Sequence, residues 1–361
     1  MLEYDRIVIV TCFSPWYNNF GITFYNVEFF GGEMGMYAKE RLLQARDLTA
    51  TSRGTSSWRR ELSAHTWLYI FVIPGVIYML IFVFLPLLGL IMAFQRFSPY
   101  SGSGPFGAFI HSEFVGFDIF RGLFTGPDFW RVLRNTLAIN ISALIFYFPA
   151  PIILALLLNE IQNQPFKRTT QTIVYIPHFI SWVIVGSITF QMFNAQDGIL
   201  MMLIKQLFPK MPNVLSAPRA FIPMLLGQSM WKETGFGTII YLASLASVDP
   251  QLYEAATVDG ANRWQKMWNI TLPGIAGTIV IMLILKLGQM LNTGYEQIFL
   301  MQNSLNRSVS DVFDTYIYTM SIVNGNYSLG TAMGLFKSVV GMLLVIGSNR
   351  LSKHLGSSGL Y

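Results

Sequence analysis

Long apolar stretches separated by polar passages dominate this chain. Residues 67–94 run 28 positions without a charge, with Trp67 and Tyr69 at the edge where interfacial aromatics sit. A second uncharged stretch covers 135–159 and contains Pro149 and Pro151, which mark a kink. The third covers 171–196 and the fourth 220–247, the latter interrupted by Lys232 and Glu233. The fifth, 273–301, carries Lys286 and Glu296, and the sixth, 329–349, carries Lys337. At about 1.5 Å per helical residue each is long enough to cross roughly 30 Å of hydrocarbon. The pattern predicts an all-α polytopic membrane protein with six transmembrane helices.

Composition agrees. Of 361 residues, 53% are hydrophobic and 12% charged, against about a quarter charged in soluble domains. The net charge of +5 fits basic residues gathered on cytoplasmic segments. No basic patch of the kind that binds nucleic acid stands out. Thirteen Lys and Arg fall on the connections assigned inside and eight on those assigned outside. That bias predicts an N-in, C-in arrangement and places residues 248–273 in the cytoplasm. Cys12 is the sole cysteine, and His65, His111, His178 and His354 show no metal-ligand spacing, so no metal site is expected.

The longest polar passage in the C-terminal half is EAATVDGANRWQKMWNITLP, 254–273. Glu254-Ala255-Ala256 opens a helix well, since Ala has the best propensity and Glu suits a helix N-terminus. Asp259-Gly260 permits a sharp turn, because Gly accepts positive φ. Asn262 can cap a second helix to about Ile270, and Pro273 suits the first turn of the apolar helix after it. The passage reads as a helix-turn-helix in water beside the membrane. The alternative is an inert polar hairpin.

At these residues the sequence resembles the inner-membrane permease subunits of ATP-binding-cassette (ABC) importers. Their cytoplasmic signature of Glu-Ala-Ala, then Gly, then Ile-x-Leu-Pro stands here as Glu254-Ala255-Ala256, Gly260 and Ile270-Thr271-Leu272-Pro273. The likeness runs from about Trp67 to the C-terminus. It is closest to oligosaccharide-type permeases grouped with uptake of aldouronates and acidic polysaccharides, through NEIQNQPFKRTTQTIVYIPHFISWVIVG (159–186), WKETGFGTIIYLASLASVDPQLYEAATVDGANRW (231–264) and FDTYIYTM (313–320). An alginate-oligosaccharide importer is one specific case. The resemblance implies a type I ABC importer permease fold in the bacterial cytoplasmic (inner) membrane. It implies a homologous second permease, two ATPase subunits and a periplasmic or extracellular solute-binding protein as partners. It also implies that ATP and Mg are bound by the ATPase, with no cofactor in this chain. Glu254, Ala255, Ala256, Asp259, Gly260, Leu272 and Pro273 would then form the seat that couples to the ATPase, by docking of a short helix in a groove.

The domain expectation is an N-terminal cytoplasmic segment, 1–66, and a transmembrane permease domain, 67–361, with its coupling loop at 248–273. Residues 1–35 match the remainder poorly. Codons for Gly31-Gly32-Glu33 can spell a purine-rich ribosome-binding run ahead of Met34 and Met36, so 1–35 are read as translated leader. Residues 37–60 are read as a basic, solvated cytoplasmic arm, with a specific ATPase or lipid contact as the alternative.

Charges within the spans suggest the substrate path. Lys232 and Lys286 lie 12 and 13 residues into their stretches, roughly 18–20 Å deep. A charge at that depth costs about 2.5–3.5 kcal/mol on insertion scales, so it normally faces water or a partner. Helical spacing puts Lys286, Gln289, Thr293 and Glu296 on one face, flanked by Asn292 and Tyr295, with Gln228, Trp231 and Gly235 in the same relation on the fourth span. Flat rings for pyranose faces and amides for hydroxyls suit a sugar. With Glu233 the only acid near three lysines, the path would be net positive and favour an anionic sugar such as a uronate oligomer. The alternative is a structural polar cluster. Lys337 is read as snorkelling outward and His178 as a packed or helix-terminal residue. Outer connections 95–134, 197–219 and 302–328 either face the solute-binding protein or pack over the spans. Residues 117–135 suggest an interfacial helix pair.

Two rival functions are an ion-coupled secondary sugar transporter, needing a mid-depth carboxylate such as Glu233, and a membrane-embedded transferase, needing a paired acidic or His site that is absent.

Overall fold

A computed structural model of the chain describes residues 66–102, 104–354 and 356. The leader, Cys12 and the basic arm lie outside the described residues, as does His65. The chain divides into two units, Met1–Tyr78 and Met79–Tyr361. In the first unit, the described residues from Thr66 to Tyr78 are helical and expose their apolar side chains throughout.

Elements in chain order are α1 (Thr66–Phe94), the two-residue strands β1 (Gln95–Arg96) and β2 (Glu113–Phe114) flanking α2 (Gly104–His111), and α3 (Asp118–Thr125). Next come α4 (Pro127–Asn159), α5 (Gln164–Phe179), α6 (Trp182–Phe193) and α7 (Ile199–Leu207). Then follow α8 (Pro218–Leu245), α9 (Pro250–Val258), α10 (Arg263–Gly288) and α11 (Tyr295–Met301). The chain ends with α12 (Arg307–Ser310), α13 (Phe313–Tyr318) and α14 (Tyr327–His354). The strands pair antiparallel, Gln95 opposite Phe114.

Among the described residues four helices, α1, α4, α10 and α14, are long and apolar enough to cross a membrane, and the pair α5–α6 makes up to five. The 28-residue α8 has the length but, diluted by Gln228, Lys232 and Glu233, not the same apolarity.

Three of these helices share one departure from regularity. Each widens into a π turn ending two residues before a proline: Leu80–Phe84 before Pro86, Ala143–Tyr147 before Pro149, Met267–Thr271 before Pro273. Proline lacks an N–H, and its ring collides with the carbonyl four residues back. The residue before each proline instead bonds five residues back, Leu85 to Leu80, Phe148 to Ala143 and Leu272 to Met267. The helix therefore continues through the proline without a sharp break.

Several sequence expectations need correction. The third stretch is not one straight span: α5 and α6 meet at 94°. Pro177 ends the α-helical hydrogen bonding, Ile180 is extended, and Ser181 caps α6 by accepting the N–H of Ile184. The fifth stretch stops at Gly288 and restarts at Tyr295, through Gly294 at φ 76°. The residues 117–135 do not form a separate interfacial pair, since α4 begins at Pro127 and runs on as the second span. Of the two alternatives for connections 95–134, 197–219 and 302–328, packing is seen: Met201 and Val214 join Phe221, Ile298 and Val312 in one buried cluster, while Phe129 joins Leu123, Phe313 and Met333 in another. A third cluster, Ile152, Ala155, Tyr241, Leu245 and Ile275, knits α4, α8 and α10.

Two helix backbones meet closely at Gly235 of α8, where an added Cβ would run into the Val174 carbonyl of α5. Neither backbone has a flexible end to yield. Gly235→Val is expected to cost about 1–3 kcal/mol by overpacking, read as a lowered melting temperature of the purified assembly. An unchanged melting temperature would show that α5 and α8 are not in backbone contact.

Candidate functional site

The polar hairpin is built by complementary end signals. Asp249 caps α9, its Oδ1 accepting the N–H of Gln251 at 2.9 Å, and Pro250 occupies the first turn. Gly260, at φ 77°, ends α9: its N–H bonds the Thr257 carbonyl at 3.1 Å, and the Ala261 N–H bonds the Ala256 carbonyl at 2.9 Å. That is a complete Schellman closure, which a side chain at Gly260 would strain. Immediately after it, Asn262 and Gln265 form a capping box of two reciprocal bonds, 2.7 and 2.9 Å. The two arms are then pinned together. Lys266 Nζ donates to Thr257 Oγ1 at 2.8 Å, and Tyr253 OH to Thr271 Oγ1 at 3.0 Å.

Sequence reasoning placed the turn and the Asn262 cap, but not the Asp249 cap, which starts α9 at Pro250, ahead of Glu254. It erred on the second arm, which does not end near Ile270 but runs unbroken into α10, so Pro273 lies inside a continuous helix. The π turn at Met267–Thr271 makes that possible. No residue of α9 is buried; Glu254, Ala255 and Asp259 are exposed, Ala256 is half-covered, and Val258 is 88% exposed. Leu272 is half-buried and Pro273 exposed. A short helix with apolar residues on its open surface suits insertion into a groove of another protein.

The substrate-path residues separate into three groups rather than one stripe. Gln228 is buried in an amide network: its Nε2 donates to Thr189 Oγ1 at 2.8 Å, and its Oε1 accepts from Gln297 Nε2 at 3.0 Å. Trp231 points away and is half-exposed, so Gln228, Trp231 and Gly235 do not present one common face.

Lys232 is 5% exposed. Its Nζ donates to Glu233 Oε1 at 2.9 Å and to the His178 carbonyl at 2.6 Å, and lies 5.2 Å from the Trp182 ring centre. Glu233 Oε2 is 2.6 Å from His178 Nδ1, and the His178 ring stacks on Phe236 at 3.9 Å. His178 lies in the bend between α5 and α6, so Lys232 supplies a donor where the helix stops using its own.

The fifth stretch shows the same device. Thr293, in the break between α10 and α11, donates its backbone N–H at 2.9 Å and its hydroxyl at 3.1 Å to Asp314 Oδ2. Lys337 pairs with Asp314 Oδ1, so it is neutralised within the protein and does not snorkel. Because the helix breaks, Lys286, Gln289, Thr293 and Glu296 share no face. Gln289 and Asn292 instead line a cleft of about 550 Å³ between α10 and α14, together with Lys337 and Ser338. Tyr295 heads α11 and stacks on Phe299 at 5.0 Å. Lys286 faces elsewhere: its Nζ lies 5.9 Å from the Tyr147 ring centre, and among the described residues it makes no ion pair. Asp314 and the His178 contact escaped sequence reasoning. Their partners lie 23 and 55 positions away, beyond any helical spacing.

A polytopic helical protein whose exposed hairpin continues into a span, with polar groups lodged at breaks in its spans, has the parts of a transport subunit moved by another protein. The chain belongs to the family described as binding-protein-dependent transport system inner membrane component, whose model matches residues 129–357. It is accordingly a permease subunit of an ABC importer and not an enzyme. Among its relatives, Protein LplB of Bacillus subtilis (strain 168) is 50% identical over 323 residues, covering 89% of this chain and all of that protein. The polygalacturonan/rhamnogalacturonan transport system permease protein YteP of the same organism is 44% identical, covering 83% of this chain and 92% of that one. Among solved structures, a bacterial alginate ABC transporter in complex with an alginate pentasaccharide-bound periplasmic protein contains a chain 35% identical to this one. The match has a TM-score of 0.75 and covers 84% of this chain and 99% of that chain. This confirms the type I permease fold expected from the signature residues.

Removing half-buried Glu233 leaves the buried Lys232 ammonium without its ion pair. Glu233→Gln is expected to destabilise by about 3–5 kcal/mol, while Lys232→Met with Glu233→Gln restores most of it. Chemical denaturation of the four proteins of that cycle checks this; additive losses would mean that the pair does not act as one unit.

Proposed function

We propose that this chain forms half of the transmembrane path of an ATP-driven importer for oligosaccharides, of an acidic, uronate-bearing class. A solute-binding protein delivers the sugar, a homologous permease completes the path, and a dimer of ATPase subunits binds ATP and Mg and drives it. In this reading α8 is a sixth span, both termini face the cytoplasm, and the α9–α10 hairpin docks on the ATPase.

The observation that carries the acidic substrate is the charge balance within the spans. Lys232 is matched by Glu233 and Lys337 by Asp314, whereas Lys286 makes no ion pair among the described residues. A half-buried ammonium of that kind favours an anionic guest. The polar cleft at the break of the fifth stretch, with Gln289 and Asn292 in its wall, offers amides for sugar hydroxyls. Names of relatives support the same class: polygalacturonan and alginate are both polymers of uronic acids. An ion-coupled transporter is less well supported, because Glu233 is already engaged by Lys232 and His178.

For the hairpin, Glu254 orients α9 by charge, Ala255 and Ala256 let it sit close, and Asp259-Gly260 reverse the chain without side-chain bulk. Leu272 and Pro273 anchor the second arm to the span. Closure of the ATPase dimer on ATP would move this rigid unit and, through α8 and α10, the path itself.

Two experiments test this. In proteoliposomes holding the whole importer, Lys286→Met should lower uptake of a uronate oligosaccharide at least tenfold and spare uptake of a neutral one; unchanged uronate uptake would sink the acidic reading. Glu254→Ala with Gly260→Val should abolish binding-protein-stimulated ATP hydrolysis while the permease pair stays in the membrane. Stimulation at the wild-type level would instead rule out the hairpin as the ATPase contact.

A further inference from the structure

A second cleft, of about 590 Å³, lies beside the hairpin's second arm. One wall is α4 from Pro149 to Glu160, including Ile153 and Leu157, and the other is α10 from Arg263 to Leu272, including Trp264 and Trp268. The walls are apolar almost throughout. Ile153, Leu157, Trp264 and Trp268 are all more than half exposed, so nothing within the described residues fills the space between them.

Three features identify the occupant. From Pro149 to Glu160 the α4 wall rises about 16 Å at 1.5 Å per residue, half of the roughly 30 Å hydrocarbon thickness and thus the depth of one leaflet. Trp264 and Trp268, one helical turn apart on the second arm, line the facing wall, and indole rings favour the interface between hydrocarbon and headgroups. Finally, the only charged residues of the cleft are one cation and one anion, Arg263 and Glu160, and neither makes an ion pair among the described residues. A protein helix, about 10 Å across and apolar on its buried face, would leave both charges unanswered. A zwitterionic headgroup answers both.

We propose that this cleft holds one phospholipid of the leaflet on the hairpin side. Its acyl chain lies along Ile153 and Leu157 between the two tryptophans, its phosphate sits on Arg263 and its ammonium on Glu160. Glu160 accepts hydrogen bonds, so the headgroup is an ethanolamine, whose ammonium carries N–H donors, in preference to a choline, whose nitrogen carries none. The lipid would thereby touch the arm of the hairpin itself, making the moving part sensitive to the composition of the surrounding leaflet.

The test uses the assembled importer in nanodiscs. Phosphatidylethanolamine with brominated chains should quench the emission contributed by Trp264 and Trp268, taken as the difference from a Trp264→Phe/Trp268→Phe importer, at a mole fraction about fivefold lower than brominated phosphatidylcholine. Glu160→Gln should erase that preference. By native mass spectrometry, Ile153→Phe with Leu157→Phe should reduce retained phosphatidylethanolamine at least fivefold. Equal quenching by the two lipids, a preference that survives Glu160→Gln, or retention undiminished in the filled cleft would each overturn the proposal. A photocrosslinker at position 153 that captures a protein subunit rather than lipid would also overturn it. Import of a uronate oligosaccharide is scored separately on the same preparation, so failure of this inference leaves the substrate reading untouched.

Discussion

In hydrocarbon a backbone N–H or carbonyl that leaves its helix has no water to turn to, and must be met by the protein itself. This constraint organises the middle of the molecule. The chain breaks helical continuity within two of its apolar stretches, and at each break a charged pair does the repair. At the bend between α5 and α6, Lys232 donates to the His178 carbonyl while Glu233 holds both the lysine and the imidazole. At the gap between α10 and α11, Asp314 accepts the Thr293 N–H while Lys337 balances its charge. These four ionisable residues thus have a structural reason to be there. Lys286 lies outside both repairs and makes no ion pair among the described residues.

Much of the hairpin was legible in the sequence because its determinants are local. A cap, a positive-φ glycine and a second cap follow one another within a few residues at 256–265, and each acts on backbone groups at most five positions away. The kink expected at Pro149 does not occur, because the π turn at Ala143–Tyr147 carries the helix through the proline. The gross fold was equally legible, since the long uncharged runs leave few alternatives. What local pattern missed was every feature set by tertiary partners. The stripe Lys286–Gln289–Thr293–Glu296 assumed an unbroken helix; whether a helix survives Gly288 and Gly294 is decided by Asp314, far along the chain. Gln228 read as a sugar contact, but it spends its amide on Thr189 and Gln297.

Fold and proposed action meet in α8. One face of this helix carries Gln228, Lys232 and Gly235, which bind it to α11, to the bend and to α5 in turn. Its last turn contributes Tyr241 and Leu245 to the cluster shared with α4 and α10. Beyond Leu245 the chain reaches the first hairpin arm at Pro250. A displacement of the hairpin therefore enters the helix to which both halves of the bent third stretch are fastened, and the second arm is the beginning of α10 itself.

The widened turns before Pro86, Pro149 and Pro273 also alter what a helix displays. Each inserts one residue into the spiral, and one residue is about 100° of rotation. Side chains above and below such a turn are therefore out of phase, and a stripe drawn through all of α4 at constant pitch would join residues that look in different directions. The helix turns one aspect to the outer packing around Ile139 and, after Ala143–Tyr147, a different one to Tyr241 and Ile275. Loss of a single residue there would leave the outer half in place and swing the inner half by more than a quarter revolution, carrying Ile152 and Ala155 off their neighbours. In these spans proline acts less as a hinge than as a phase-setter.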